Sequence, residues 1–247
     1  MRRFLLRMIA IAAWAGLSLS CNQATRGQST AAALAVNLPP QLIVTRVVGV
    51  CHLHAAAGSP GRQLKNNDSV PEGSVIVTES GNTSLQLFSA DGSIAMLGSD
   101  GELVVDRLGS GRQRPAWRLN RGELIVNIRR GVQNPTETLA VQTPLGAVVS
   151  KGTVFRIALR PTGVGPALSF QLSCVEGLVA LVHGPGNSTD LTSGLEFFIV
   201  AAAPKGMPVA PALPIAPAPI NVLTLTAVTQ VAQTMAFAAN SVMFSTK

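Results

Sequence analysis

Between about Leu42 and Val200 the chain alternates apolar and polar residues in short runs, and no stretch of that region carries a convincing helical period. Leu124, Val126 and Ile128 alternate with Ile125, Asn127 and Arg129, while Phe155, Ile157 and Leu159 alternate with Val154, Arg156 and Ala158. A period of two sends successive side chains to opposite faces, so each run reads as a strand with one face buried. Strands of this number and length require an all-β body, built as a β-sandwich, a barrel or a short β-helix. Its core must be aliphatic, because the chain has 8 Phe, 2 Trp and no Tyr.

The breaks between the runs share a form. Val70-Pro71-Glu72-Gly73, Leu119-Asn120-Arg121-Gly122, Cys174-Val175-Glu176-Gly177 and Leu191-Thr192-Ser193-Gly194 each place an apolar residue, two polar or small residues and a glycine before an apolar run. Ala90-Asp91-Gly92-Ser93 does the same between Leu85-Gln86-Leu87-Phe88 and Ile94-Ala95-Met96-Leu97. A reversing chain needs a residue at positive φ, which glycine supplies at little steric cost, so these glycines read as turns that pin strand register.

The ends differ from the body. Arg2, Arg3 and Arg7 precede an uncharged apolar stretch from Met8 to Leu19, the pattern of an export signal over residues 1–20, shorter than a membrane-spanning helix needs. Leu17-Ser18-Leu19-Ser20-Cys21 resembles a lipoprotein cleavage box, which makes Cys21 the candidate lipid-attachment residue; ordinary cleavage without a lipid is the plainer alternative. A linker over 21–41 leads to the β domain at 42–203. Six prolines between Pro204 and Pro219 make 204–220 a stiff linker. In the tail at 221–247, Leu225, Val228, Ala232, Met235, Ala239 and Val242 recur at the spacing of one helical face. That supports either a weakly ordered tail, the plainer reading, or a short amphipathic helix that docks on the domain, a partner or a membrane surface.

If Cys21 carries the lipid, Cys51 and Cys174 remain as an even pair in an oxidising compartment. Alternation places Cys174 on the apolar face with Leu168, Phe170 and Leu172, and Cys51 with Ile43, Val47 and Leu53. They are a candidate disulfide or two small buried hydrophobes.

Signatures of catalysis are missing from the sequence. It has no Gly-x-Ser-x-Gly elbow, no phosphate-binding loop and no dinucleotide fingerprint, so no cofactor is implied. The three histidines, His52, His54 and His183, stand outside any triad context. His52 and His54 share a strand face at a spacing two metal ligands could use, but Cys51 points the other way, and a surface pair is the simpler reading. Glu102, Glu123 and Glu176 are the carboxylates an envelope-glycan hydrolase could draw on, if two of them faced one cleft.

Net charge is +7, yet three of the charges belong to the export signal, leaving 16 basic against 12 acidic residues. Arg107, Arg112, Arg114, Arg118, Arg121, Arg129 and Arg130 lie in one segment with Glu123 as its sole acid, so the rest of the exported chain is slightly acidic. The segment reads as a solvated loop or as an anion-facing patch, with Arg107, Arg112, Arg114, Arg118 and Arg121 as candidates for meeting an envelope protein or an anionic surface polymer. Nucleic acid fits the charge but not the export, and few aromatic residues are available to stack on bases.

Taken in order, Gly73 with its apolar run, Asp91-Gly92-Ser93, Leu119 to Gly122, Thr143-Pro144 within Val141 to Ala147, Lys151-Gly152-Thr153-Val154-Phe155 and Val175-Glu176-Gly177 resemble the FecR domain family. Gly194 closes the last turn of the matching region. Lys151 stands where that family usually has Arg, keeping the charge but not the bidentate geometry. The resemblance implies an exported signalling module. FecR itself is a single-pass sensor whose cytoplasmic segment controls an extracytoplasmic-function sigma factor and whose periplasmic part meets a receptor. With only Met1 to Arg7 ahead of the apolar run, the expectation is a stand-alone, membrane-anchored binding module. A transducer with an uncleaved anchor is the alternative, and a glycan-active enzyme a further one.

Overall fold

The computed structural model describes residues 41–89, 92–109, 113–128, 138–162, 167–184, 187–202 and 217–244; the side chains at 138, 151, 201–202 and 236–244 are outside that description. Among the described residues fifteen strands form one hydrogen-bonded network. They are β1 Leu42–Val48, β2 Cys51–His54, β3 Gly61–Gln63, β4 Ser69–Val70, β5 Val75–Thr78, β6 Ser84–Ser89, β7 Ile94–Leu97, β8 Glu102–Arg107, β9 Ala116–Asn127, β10 Thr138–Thr143, β11 Gly146–Pro161, β12 Ala167–Gly184, β13 Asn187–Thr192, β14 Leu195–Ala202 and β15 Ala218–Pro219. The helix α1 Val222–Phe244 follows. The all-β reading of the body holds.

The long strands explain how the network is built. The first half of β9 pairs with β8 and β10, its second half with β7 and β11. Similarly, β11 runs beside β10 as far as Lys151 and beside β9 from Val154, while β12 meets β14 up to Cys174 and β13 from Leu178. The result is two sheets that share three strands. One has the order β3-β2-β5-β8-β9-β10-β11-β12-β13, the other β4-β1-β6-β7-β9-β11-β12-β14-β15.

Each shared strand turns its corner at a glycine with positive φ: Gly122 at +94°, Gly152 at +56° and Gly177 at +88°. The pairing slips at these points, as expected of bulges that bend a strand and increase its twist. Here the structure corrects the sequence reading. Gly122 and Gly177 do not reverse the chain but bend it within a continuous strand. A turn and a bulge both need positive φ, so the local pattern is the same. Gly92 does sit in the hairpin turn between β6 and β7, and Gly194 in the turn that leads from β13 into β14, which pair with different halves of β12, whereas Gly73 sits in the turn that leads from β4 into β5. Asp91 lies outside the described residues.

The inward faces of both sheets enter one apolar cluster that runs from Leu42 to Ile199 and includes Leu87, Leu124, Phe155, Phe170 and Phe197. On β1 a bulge between Val44 and Arg46 changes which residues face inward. Leu42 and Val44 are buried before it and Val47 packs on the core after it, so Ile43 is not the partner of Cys51 that strict alternation makes it.

A second, smaller cluster lies on the outer face of the sheet that contains β7. There Val228, Ala232 and Met235 of α1 bury Ile94, Ile125 and Val154. The tail is thus helical over Val222–Phe244 where the sequence left a weakly ordered tail open, because this strip of outer face is itself apolar. The entry to the helix is fixed locally. Ala218 and Pro219 pair with Glu196 and Leu195, and Ile220 N–H donates to the Gly194 carbonyl at 2.9 Å. Asn221 Oδ1 then accepts from Leu223 N–H at 2.9 Å, an N-cap. Among the described residues no helix is long and apolar enough to cross a membrane.

Candidate functional site

One transverse row organises the helix-bearing face. Arg46 on β1, Gln86 on β6, Met96 on β7, Ile125 on β9, Arg156 on β11, Ser173 on β12 and Glu196 on β14 are successive cross-strand partners. The middle of the row is apolar and lies beneath α1, while both ends are polar. Neither end has a signature in the sequence, since the residues come from strands far apart in the chain.

At the β11–β14 end the polar groups satisfy one another. Arg156 Nη2 donates to Glu123 Oε2 at 2.7 Å and its Nη1 donates to Gln171 Oε1 at 2.9 Å. Arg160 Nη2 reaches the same Glu123 oxygen at 3.0 Å. Gln171 Nε2 donates to Glu196 Oε2 at 2.8 Å, and Ser173 Oγ donates to it at 3.2 Å. Burial alone would push the Glu123 carboxyl up, but the Arg156 hydrogen bond and the charges of Arg156 and Arg160 outweigh it and hold the group below its usual 4.5. An ionised, doubly bridged carboxylate is a clamp between strands and a poor proton donor.

At the β1–β6 end the polar groups are left open. A groove of about 380 Å³ separates α1 from the strands. Arg46, Ser84 and Gln86 line its sheet side together with Met96, and Gln230, Val231, Thr234 and Met235 line its helix side. Gln86 is 6% exposed and its Nε2 has no hydrogen-bond partner. Most buried polar atoms in folded proteins do have one.

The arginine segment is less uniformly positive than its composition. Arg118 Nη2 lies 3.0 Å from Asp106 Oδ1, and Arg121 Nε lies 3.6 Å from Glu102 Oε2, which Asn120 Nδ2 also reaches at 2.8 Å through the other oxygen. Arg107 and Arg114 are exposed, and Arg112 lies outside the described residues with Arg129 and Arg130. Counting charge along the chain missed Asp106 and Glu102, which lie across the strand pair.

Cys51 and Cys174 are free thiols, both buried. Cys51 Sγ faces the Ser84 carbonyl, whereas Cys174 Sγ faces the carbonyls of Glu176 and Gly177. Burial pushes both thiols up to about 11, aided at Cys51 by the charge of Glu79. His52 Nε2 lies 3.2 Å from Glu79 Oε1, and His54 Nδ1 lies 2.7 Å from the Ser59 carbonyl. Among the described residues no three His, Cys, Asp or Glu side chains converge as a metal site. Thr143 Oγ1 donates to the Gly146 carbonyl at 2.9 Å and accepts from Leu145 N–H at 3.2 Å, which closes the turn through Pro144 between β10 and β11. Phe155 is fully buried, and Thr153 packs at the β11 corner.

No curated protein matches the chain. Two crystal structures of a candidate anti-sigma factor from Parabacteroides distasonis, at 1.65 and 2.50 Å resolution, are similar to it at 15% identity, with TM-scores of 0.46 and 0.45. In each case 63% of this chain aligns with 64% of the other, so the chain spans less than two thirds of those proteins. The FecR protein family model matches residues 74–180, a span that holds all three corner glycines, Gln86, Glu123 and the Thr143-Pro144 turn. Residues 74–180 of this chain are a FecR domain.

Proposed function

We propose that this protein is a non-catalytic binding and sensory module of a FecR-type signalling system, exported and held at the bacterial cell envelope through a lipid on Cys21. The match of residues 74–180 to the FecR family carries this reading, because the resemblance implies a signalling role. The site chemistry agrees with it. A glycan hydrolase needs a carboxyl held protonated, and Glu123 is instead held ionised by two arginines. Glu102, the second candidate carboxylate, is engaged by Asn120 and Arg121. The exposed Arg107 and Arg114 at the end of the β8–β9 pair supply the positive surface for an envelope protein or an anionic polymer.

The test is genetic. Deleting the gene shifts transcription of a defined set of genes, and complementation restores it; an unchanged transcriptome overturns the signalling reading. Mass spectrometry of the amino terminus separates the two modes of attachment. A diacylated Cys21 fits the lipoprotein, and an intact Met1 fits a transducer with an uncleaved anchor.

A further inference from the structure

We propose that the groove between α1 and the β1–β6–β7 face is a binding site for a small carboxylate with an aliphatic body. This rests on the groove alone and does not depend on what the FecR domain signals to.

Gln86 is the first ground. Its amide is buried and its Nε2 has no partner, although a buried donor left unpaired costs about 1–3 kcal/mol. The Gln86 side chain lines the groove, so an acceptor placed there removes that cost. Arg46 is the second ground. It is the cross-strand partner of Gln86 and lines the same groove, and among the described residues its guanidinium has no ion-pair partner. The groove is lined by no acidic side chain, so its charge is positive and uncompensated.

The walls define the rest of the ligand. Met96 on the sheet and Val231 and Met235 on α1 are apolar, and methionine adapts to aliphatic shapes. A volume of about 380 Å³ is at the small end of ligand sites, which run from about 300 to 1,000 Å³. One guanidinium and one amide N–H match the two oxygens of a carboxylate. A phosphate dianion would leave charge unbalanced beside a single arginine. Because α1 supplies one wall, an occupied groove also holds the helix against the sheet.

Isothermal titration of the purified full chain tests this with octanoate, octanol and octyl phosphate. Octanoate is expected to bind saturably, with octanol and octyl phosphate at least tenfold weaker. Arg46→Gln and Gln86→Leu should each weaken octanoate tenfold or more, and Gln86→Glu should abolish binding by placing a carboxylate beside Arg46. Circular dichroism melts establish that each variant folds. Arg46 is exposed, so Arg46→Gln decides the matter even where a Gln86 variant does not fold. The proposal is overturned if octanoate gives no saturable heat with the wild type, if octanol or octyl phosphate binds as tightly, or if Arg46→Gln leaves the affinity unchanged. A null titration leaves the transcriptional test of the FecR-type role untouched, and an unchanged transcriptome leaves this site standing.

Discussion

Gly177 on β12 faces Thr153 on β11 with no room for a side chain: a Cβ on Gly177 would sit 2.6 Å from Thr153 Cγ2 and 3.0 Å from the Gly152 carbonyl oxygen. This contact joins two segments of the FecR resemblance, Lys151-Gly152-Thr153 and Val175-Glu176-Gly177, into one structural unit. Both strands change sheets here, and each corner requires the other.

Replacing Gly177 by Ala should therefore cost about 2–4 kcal/mol, of which about 1–2 comes from forcing an L-residue to positive φ and the rest from overlap with Thr153. Gly194 has a similar φ of +82° but nothing within 4 Å, so Gly194→Ala should cost only the backbone share. Thr153→Ser removes the clashing methyl and should recover part of the loss at Gly177. Urea denaturation of the two single mutants at Gly177 and Thr153 and of their double mutant measures the coupling. Strictly additive energies would refute the contact.

The Arg156 clamp predicts a stability cost with a pH signature. Arg156→Met leaves Glu123 with Arg160 alone and Gln171 without its donor, which should cost about 2–3 kcal/mol near neutral pH. In the wild type the folded Glu123 carboxyl is depressed, so the unfolded chain binds its proton first as pH falls. Its contribution is fully present above the usual value of 4.5 and is lost as pH drops through the depressed folded value. In the Met variant Arg160 alone opposes burial, so the depression and that acid-side loss should shrink. Urea curves between about pH 3 and pH 7 check the difference in slope.

The strands were readable from the sequence because residues such as Phe155, Ile157 and Leu159 face one core while their neighbours do not, which enforces period two. The corners were not, since Gly122 looks like a turn until its strand is seen to pair with β8 on one side and with β7 and β11 on the other. The site was unreadable for a related reason. Arg46 and Gln86, or Glu123 and Arg156, meet by strand register, and no local spacing encodes which strands become neighbours. Glu123 looked like a lone acid among arginines, yet its partners are Arg156 and Arg160 on another strand.

Free, buried thiols make a chemical prediction. With both pushed up to about 11, almost no thiolate exists at neutral pH, and burial denies access to what there is. Cys51 and Cys174 should resist iodoacetamide in the folded protein and both react in guanidinium without reductant. A non-reduced mass two hydrogens short, with no labelling of these residues after unfolding, would instead establish a disulfide.

The docking of α1 is testable by comparing two of its apolar residues. Met235 is 1% exposed against Ile94, Ile125 and Val154, whereas Leu223 on the first turn is 79% exposed. Truncating a buried Met to Ala typically costs about 2–5 kcal/mol, and the periphery of this small cluster places Met235→Ala near the lower bound. Leu223→Ala should change stability by less than about 0.5 kcal/mol, because little apolar surface leaves water there on folding. If the segment were a tail with helical spacing but no docking, the two substitutions would be equally silent. The denaturant slope adds a second readout. An undocked helix would leave the slope of a chain truncated after Pro219 equal to that of the full chain, whereas docking buries Val228, Ala232 and Met235 and requires the full chain to have the steeper slope.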